Sequence, residues 1–210
     1  MKQLLILVGV LLVTGLIIFG LVSIQKNKAN LATVSLVLSE DDHILGPSDN
    51  KAVLVEYSDF QCPGCAAYWP MLKQLKSEYG DNLSLVYRHF PLRNIHPNAD
   101  AAAQAAEAAG LQSKFWEMAD MIFEGQSEWG KSENATEIFK EYATKLGLDI
   151  QKFTDDFDSE KIKEKIEKNY QEARSLNLPG TPSFFLNGKQ ITNPSSYEGF
   201  KKLIEDQLAG

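Results

Sequence analysis

The chain opens on an uninterrupted apolar run. From Leu4 to Ile24 there are 21 residues without a charge, and no face of a helix built from them would be polar. At about 1.5 Å per residue such a helix spans a hydrocarbon core of about 30 Å. The pattern therefore predicts one N-terminal transmembrane helix, residues 1–25. It reads as an uncleaved signal anchor, because no small-x-small cleavage site follows closely; a cleaved signal is the alternative. Residues 26–50 are polar apart from Leu31–Leu38, which offers an edge strand, and they end in the turn-rich Gly46-Pro47-Ser48-Asp49-Asn50. They read as a linker and N-terminal extension.

Beyond residue 50 the pattern becomes globular. Ala52–Tyr57 is a short β-rich apolar run, hence a buried strand. A helix follows to Tyr79, stopped by Gly80, and Leu83–Arg88 is a second strand. Strand, helix and strand within about 40 residues form a βαβ unit with a parallel pair. The character then changes, and residues 95–176 read as all-helical. Pro97–Ala109 is alanine-rich with Pro97 in the first turn and Gly110 as its cap. Ser113–Phe123 places Phe115, Trp116, Ala119, Ile122 and Phe123 at helical spacing. Asn134 with Glu137 resembles a capping box for a helix to Leu146. Ser159–Leu176 carries Ile162, Ile166, Tyr170 and Ala173 on one face. The strand signal returns at Ser183–Leu186 and Lys189–Ile191 around Asn187-Gly188, a hairpin turn. Ser195 with Glu198 resembles a second capping box, opening a helix through Leu208.

Charge narrows the partners. The whole chain carries −7, and the three lysines ahead of Glu40 leave 18 basic against 28 acidic residues after it. So acidic a body argues against nucleic-acid binding, which depends on phosphate neutralisation.

There are two cysteines, Cys62 and Cys65. A C-x-x-C that follows a strand and opens a helix reads as a thioredoxin-like redox motif. One helical turn separates the sulfurs, so they can reach disulfide distance. The first cysteine sits where unpaired N–H groups and the positive end of the helix dipole favour thiolate over thiol. Cys62 is thus the candidate nucleophile and Cys65 the resolving thiol. Zinc would need two further ligands, and His43, His89 and His96 show no ligand pairing. A structural disulfide in so short a ring constrains little of the unfolded chain. Two inert thiols complete the alternatives. No cofactor and no metal are expected.

Phe60-Gln61-Cys62-Pro63-Gly64-Cys65, with Pro70 and Gly180-Thr181-Pro182, resembles the thioredoxin superfamily. Val55–Phe60, Tyr87–Leu92, His96-Pro97-Asn98-Ala99 and Phe115-Trp116-Glu117 are similar to its membrane-anchored DsbA-like branch of the BdbD type. The resemblance implies an α/β thioredoxin fold, residues 51–94 and 177–210, with the helical block 95–176 inserted. It implies that Pro182 is a cis-proline beside the cysteines, where the residues alone allow a trans turn proline. Thr181 would offer backbone groups to an extended peptide, or be a plain turn residue. Glu56 would be a buried acid serving Cys65, against an exposed strand-edge glutamate. His89 and His96 read as core or cap residues rather than catalytic ones, and Phe60, Tyr68 and Trp69 as substrate surface or packing. The implied activity is thiol–disulfide exchange outside the cytoplasm from a single-pass membrane protein, with oxidase favoured over reductase or isomerase. A non-catalytic envelope binding module is the rival of another class. The implied partners are reduced or unfolded exported proteins and a quinone-linked membrane reoxidase, DsbB-like or VKOR-like.

Overall fold

A computed structural model describes residues 36–210. The transmembrane segment expected at 1–25 lies outside the described residues. Among the described residues no helix is long and apolar enough to cross a membrane.

A five-stranded mixed sheet forms the centre. β2 (Ala52–Ser58) and β3 (Leu83–His89) are parallel, joined by α1 (Pro63–Tyr79) and a short 3-10 turn at Gly80–Asn82. Gly80, at φ 51°, ends α1 as its C-cap. β4 (Ser183–Leu186) runs antiparallel beside β2, and β5 (Lys189–Gln190) beside β4. Asn187 and Gly188 turn between them at φ 47° and 79°, the left-handed pair a two-residue hairpin needs. β1 (His43–Leu45) pairs antiparallel with β3, so the order is β1-β3-β2-β4-β5. Of the stretch Leu31–Leu38, expected to offer an edge strand, residues 36–38 form no strand and residues 31–35 lie outside the described residues; the edge strand seen is His43–Leu45. The reason is partnership: His43–Leu45 meets the free edge of β3.

Strand alternation splits the core in two. Leu54, Leu85, Phe184 and Leu186 face one side, under α1 and α8 (Tyr197–Ala209). Val55, Tyr57, Val86 and Phe185 face the other. Glu56 is on the first side, with the helix that carries the cysteines.

Between β3 and β4 lie α2 (Ala99–Gly110), α3 (Phe115–Glu124), α4 (Gln126–Trp129), α5 (Ala135–Lys145), α6 (Ile150–Phe157) and α7 (Glu160–Ser175). The protein is therefore α/β with a helical insertion in the sheet connection. Several helix ends differ from expectation. α2 starts at Ala99, so Pro97 precedes its first turn, and Gly110 is its last residue rather than its cap. Asn134 makes no side-chain cap bond; its backbone carbonyl accepts from Glu137 N at 3.0 Å instead. The cap of α8 is Ser196, not Ser195, and its hydroxyl accepts from Gly199 N. α4 and α6 were not distinguished in the sequence. α6 is opened by Asp149, which accepts from Lys152 N at 3.0 Å, a cap residue of the favoured type.

Candidate active site

Cys62 is the N-cap of α1, with extended backbone (φ −72°, ψ 121°), and Pro63 occupies the first turn. Cys62 as a residue is 8% exposed, while Cys65, one turn in, is 0% exposed. Both are thiols in this structure. The two sulfurs titrate in opposite directions. Hydrogen bonding from the Cys65 thiol, helped by Thr181 and the Gly64 and Cys65 amides, outweighs burial and brings Cys62 down from 9.0 to about 5. Burial pushes Cys65 well above the ordinary thiol value, and the Cys62 and Glu56 charges add to it. The free N–H groups at the helix start are the physical origin of the amide contribution.

Thr181 and Pro182 form the facing wall. Their peptide bond is cis. The Cys62 thiol donates to the Thr181 carbonyl at 3.4 Å. The Thr181 hydroxyl is buried without a hydrogen-bond partner while Cys62 is a thiol. Gly64 lies against the same wall: a Cβ there would sit 3.3 Å from Pro182 Cδ and 3.5 Å from Cys62 Sγ. The wall therefore comes close over the sulfurs because residue 64 has no side chain.

Glu56 is buried beneath the pair rather than exposed at a strand edge. Burial raises its carboxyl from 4.5 to about 8, although Ser58, which donates to Oε1 at 2.7 Å, and the Cys65 thiol both favour the charged form. Tyr87 is its register partner on β3, and the Tyr87 hydroxyl is buried with no partner. The site thus holds a low thiol, a high thiol and a carboxyl that titrates near neutrality.

Four residues not singled out as site residues hold the loop before Cys62. Asp59 Oδ1 accepts from Gln61 N at 2.8 Å; Oδ2 accepts from Leu92 N at 2.8 Å and pairs with His96 Nδ1 at 2.6 Å. Gln126 Nε2, from α4, donates to the carbonyls of Phe60 (2.8 Å) and Cys62 (3.1 Å). Gln61 returns the contact: its Nε2 donates to Gly130 O at 2.7 Å and its Oε1 accepts from Asn98 N at 2.7 Å. The helical insertion is therefore bonded directly to the cysteine loop. Phe60 and Trp69 are buried packing residues, Phe60 stacked on Tyr87. Tyr68 is half-buried, its hydroxyl donating to Pro194 O at 2.8 Å. His89 is a core residue, bonded to Glu107 at 2.8 Å.

A sheet with a helical insertion, and a cysteine pair at a helix start facing a cis-proline, define a protein of the thioredoxin fold. The family described as Thioredoxin matches residues 38–206, and the chain belongs to it. Among solved structures it is similar to alpha-DsbA1 of Wolbachia pipientis, with a TM-score of 0.74, 19% identity, and 85% of this chain and 96% of that one covered. It is also similar to oxidised BdbD of Bacillus subtilis, with a TM-score of 0.71, 21% identity, and 80% and 94% covered. These likenesses concern the fold. In sequence, it is 39% identical over 157 residues to Na(+)/H(+) antiporter NhaA 1 of Mycolicibacterium vanbaalenii, covering 73% of this chain and 24% of the relative. A second relative is Na(+)/H(+) antiporter NhaA of Herminiimonas arsenicoxydans, 36% identical over 182 residues, covering 84% of this chain and 28% of the relative. The chain spans about a quarter of the length of the curated relatives it matches.

Proposed function

We propose that the protein donates disulfides to reduced exported proteins outside the cytoplasm, tethered to the cell membrane by residues 1–25. Cys62, Cys65, Glu56, Thr181 and Pro182 form the working site. A client thiolate attacks Cys62 Sγ of the Cys62–Cys65 disulfide. The new intermolecular S–S bond forms as the intramolecular one breaks, and Cys65 leaves with the electron pair. Glu56, protonated near neutral pH, supplies its proton to that thiolate. A second client thiolate attacks the client sulfur and expels Cys62, leaving the client oxidised by two electrons and the enzyme as a dithiol. The disulfide is restored by passing two electrons to a quinone-linked membrane reoxidase, DsbB-like or VKOR-like. Thr181 and Pro182 present backbone to the client strand.

The observation that carries the direction is the low Cys62 thiol, at about 5. A stabilised thiolate is a good leaving group, and it stabilises the reduced enzyme, which makes the disulfide oxidising. The test is the reduction potential of the pair against glutathione. Reference points are about −120 mV for DsbA and about −270 mV for thioredoxin. A value near the first supports donation. A value near the second makes the dithiol the working form, and the protein a reductase or isomerase.

A further inference from the structure

A groove of about 690 Å³ runs beside the cysteine loop. One wall is Gln61 and Pro63, the residues on either side of Cys62; the opposite wall is Gln126, Ser127, Gly130 and Lys131 of the helical insertion; Ile95 and His96 close one side. The walls are bonded to each other through Gln61 to Gly130 and Gln126 to the Cys62 carbonyl, so the groove is preformed. Two features mark what it accepts. Ile95 is 69% exposed, a large apolar side chain left in water in a groove that is also lined by the two neighbours of the nucleophile. The lining also has no carboxylate, in a protein whose body is strongly acidic. Its cation, Lys131, has no ion-pair partner among the described residues. Two nearby acids are spent elsewhere: Asp59 is buried on Gln61, Leu92 and His96, and Glu128 accepts from the Tyr142 hydroxyl at 3.0 Å; Glu133, two residues past Lys131, is exposed and lies outside the lining.

We propose that this groove binds the client segment flanking the reacting cysteine, and selects a segment carrying an apolar residue and a carboxylate within about three residues of it. The proposal rests on the thiol-exchange reading above and adds a sequence preference to it. An extended strand advances about 3.3 Å per residue, so a client disulfide-bonded to Cys62 enters the groove with its immediate neighbours. The apolar neighbour covers Ile95 and the carboxylate meets Lys131. Asp59 holds His96 Nδ1, and among the described residues Nε2 has no hydrogen-bond partner, which leaves it available to the client backbone. The net charge of the protein alone would attract basic clients, so the local and global fields give opposite orders.

The test uses the oxidised full-length protein and single-cysteine peptides. Each peptide has Leu beside Cys and either Asp or Lys two or three residues away, in N-terminal and C-terminal series. Rates of mixed-disulfide formation at low salt are expected to favour Asp over Lys by about two- to fivefold in one series, the range for an exposed ion pair. The preference should fall with added salt. Lys131→Glu should reverse it, Ile95→Ser should slow the Leu peptides, and oxidation of dithiothreitol should be unchanged in both variants. Equal rates, faster Lys peptides, or a preference that survives Lys131→Glu would overturn the groove proposal while leaving the exchange chemistry standing. Failure of the wild type to oxidise dithiothreitol would overturn the exchange reading, and the groove proposal with it.

Discussion

Replacing Glu56 by Gln should make the protein more stable and less competent. Glu56 is fully enclosed, and its carboxyl stands at about 8 against an ordinary 4.5, chiefly from burial. That displacement is worth about 5 kcal/mol at about 1.4 kcal/mol per pH unit. In the unfolded chain the group ionises above 4.5, while in the folded protein it keeps its proton until about 8. Between those limits the native state binds the extra proton, so this residue makes stability fall as pH rises. Gln has the same shape and can still accept from Ser58. The variant should gain about 2–4 kcal/mol at pH 8, local relaxation returning part of the full penalty, and nothing at pH 4. The assay is urea unfolding, across pH 4–8.5, of the disulfide form, in which the Cys62 charge that raises the carboxyl and the Cys65 hydrogen bond that lowers it are both absent and burial, the largest cause, remains. The disulfide form is chosen because Cys62, pulled down to about 5 in the dithiol, contributes stability that grows with pH and would mask the effect. Exchange at Cys65 should slow by tenfold or more, since Gln transfers no proton and general acid–base catalysis contributes about 10²-fold or more. Wild-type stability that is flat from pH 5 to 8, with no gain in the variant, would refute the reasoning.

Alkylation of Cys62 in the dithiol, followed by mass spectrometry, should have its pH midpoint near 5 rather than 9, with reactivity lost as pH falls through that value. Cys65→Ala should accumulate a mixed disulfide between Cys62 and a client, visible on non-reducing gels, while Cys62→Ala should form none. Gln126→Ala removes both donors to the Phe60 and Cys62 carbonyls; it should cost about 1–3 kcal/mol, read by urea unfolding, and speed hydrogen exchange in residues 60–62. Glu107 is the acceptor for His43, His89 and Lys165. Burial opposes its charge, but the two histidine bonds outweigh it and hold the carboxyl well below 4.5. Its stabilisation is therefore present above pH 4.5 and lost as pH falls toward the folded value. Glu107→Gln should cost about 3–5 kcal/mol at neutral pH and flatten the acid limb of the stability curve.

What was legible in the sequence was local. The β2–α1–β3 unit, the Asn187-Gly188 hairpin and the place of Cys62 at a helix start each rest on neighbouring residues, and each is present. Helix starts were less legible, because a capping box is a pattern that the backbone need not use. Asn134 and Ser195 have the right partners three residues on, yet the chain enters α5 with a carbonyl–amide turn and α8 one residue later. The long-range supports were not legible at all. Gln126 lies 66 residues from Phe60, and nothing in the sequence around it distinguishes it from a surface glutamine. Glu107 did carry a signal: it is a carboxylate on the buried side of an alanine-rich helix, where a charge persists only if partners are brought to it.

The insertion explains how the cysteine loop is held open without a stiff sequence of its own. Phe60–Cys62 has no secondary-structure partner for the carbonyls of Phe60 and Cys62 except α1 itself, which uses the Cys62 carbonyl for Ala66 N at 3.1 Å. The second lone pair of that carbonyl, and the Phe60 carbonyl, are taken by one side chain from the helical block. A carbonyl bonded twice pulls its peptide plane into one orientation, and this sets the direction in which the Cys62 side chain leaves the helix. The same block supplies the far wall of the groove. Loosening α4 should therefore change two properties together, the thiolate character of Cys62 and the choice of client, whereas changes to the Pro182 wall should move the first and leave the preference at Lys131 intact.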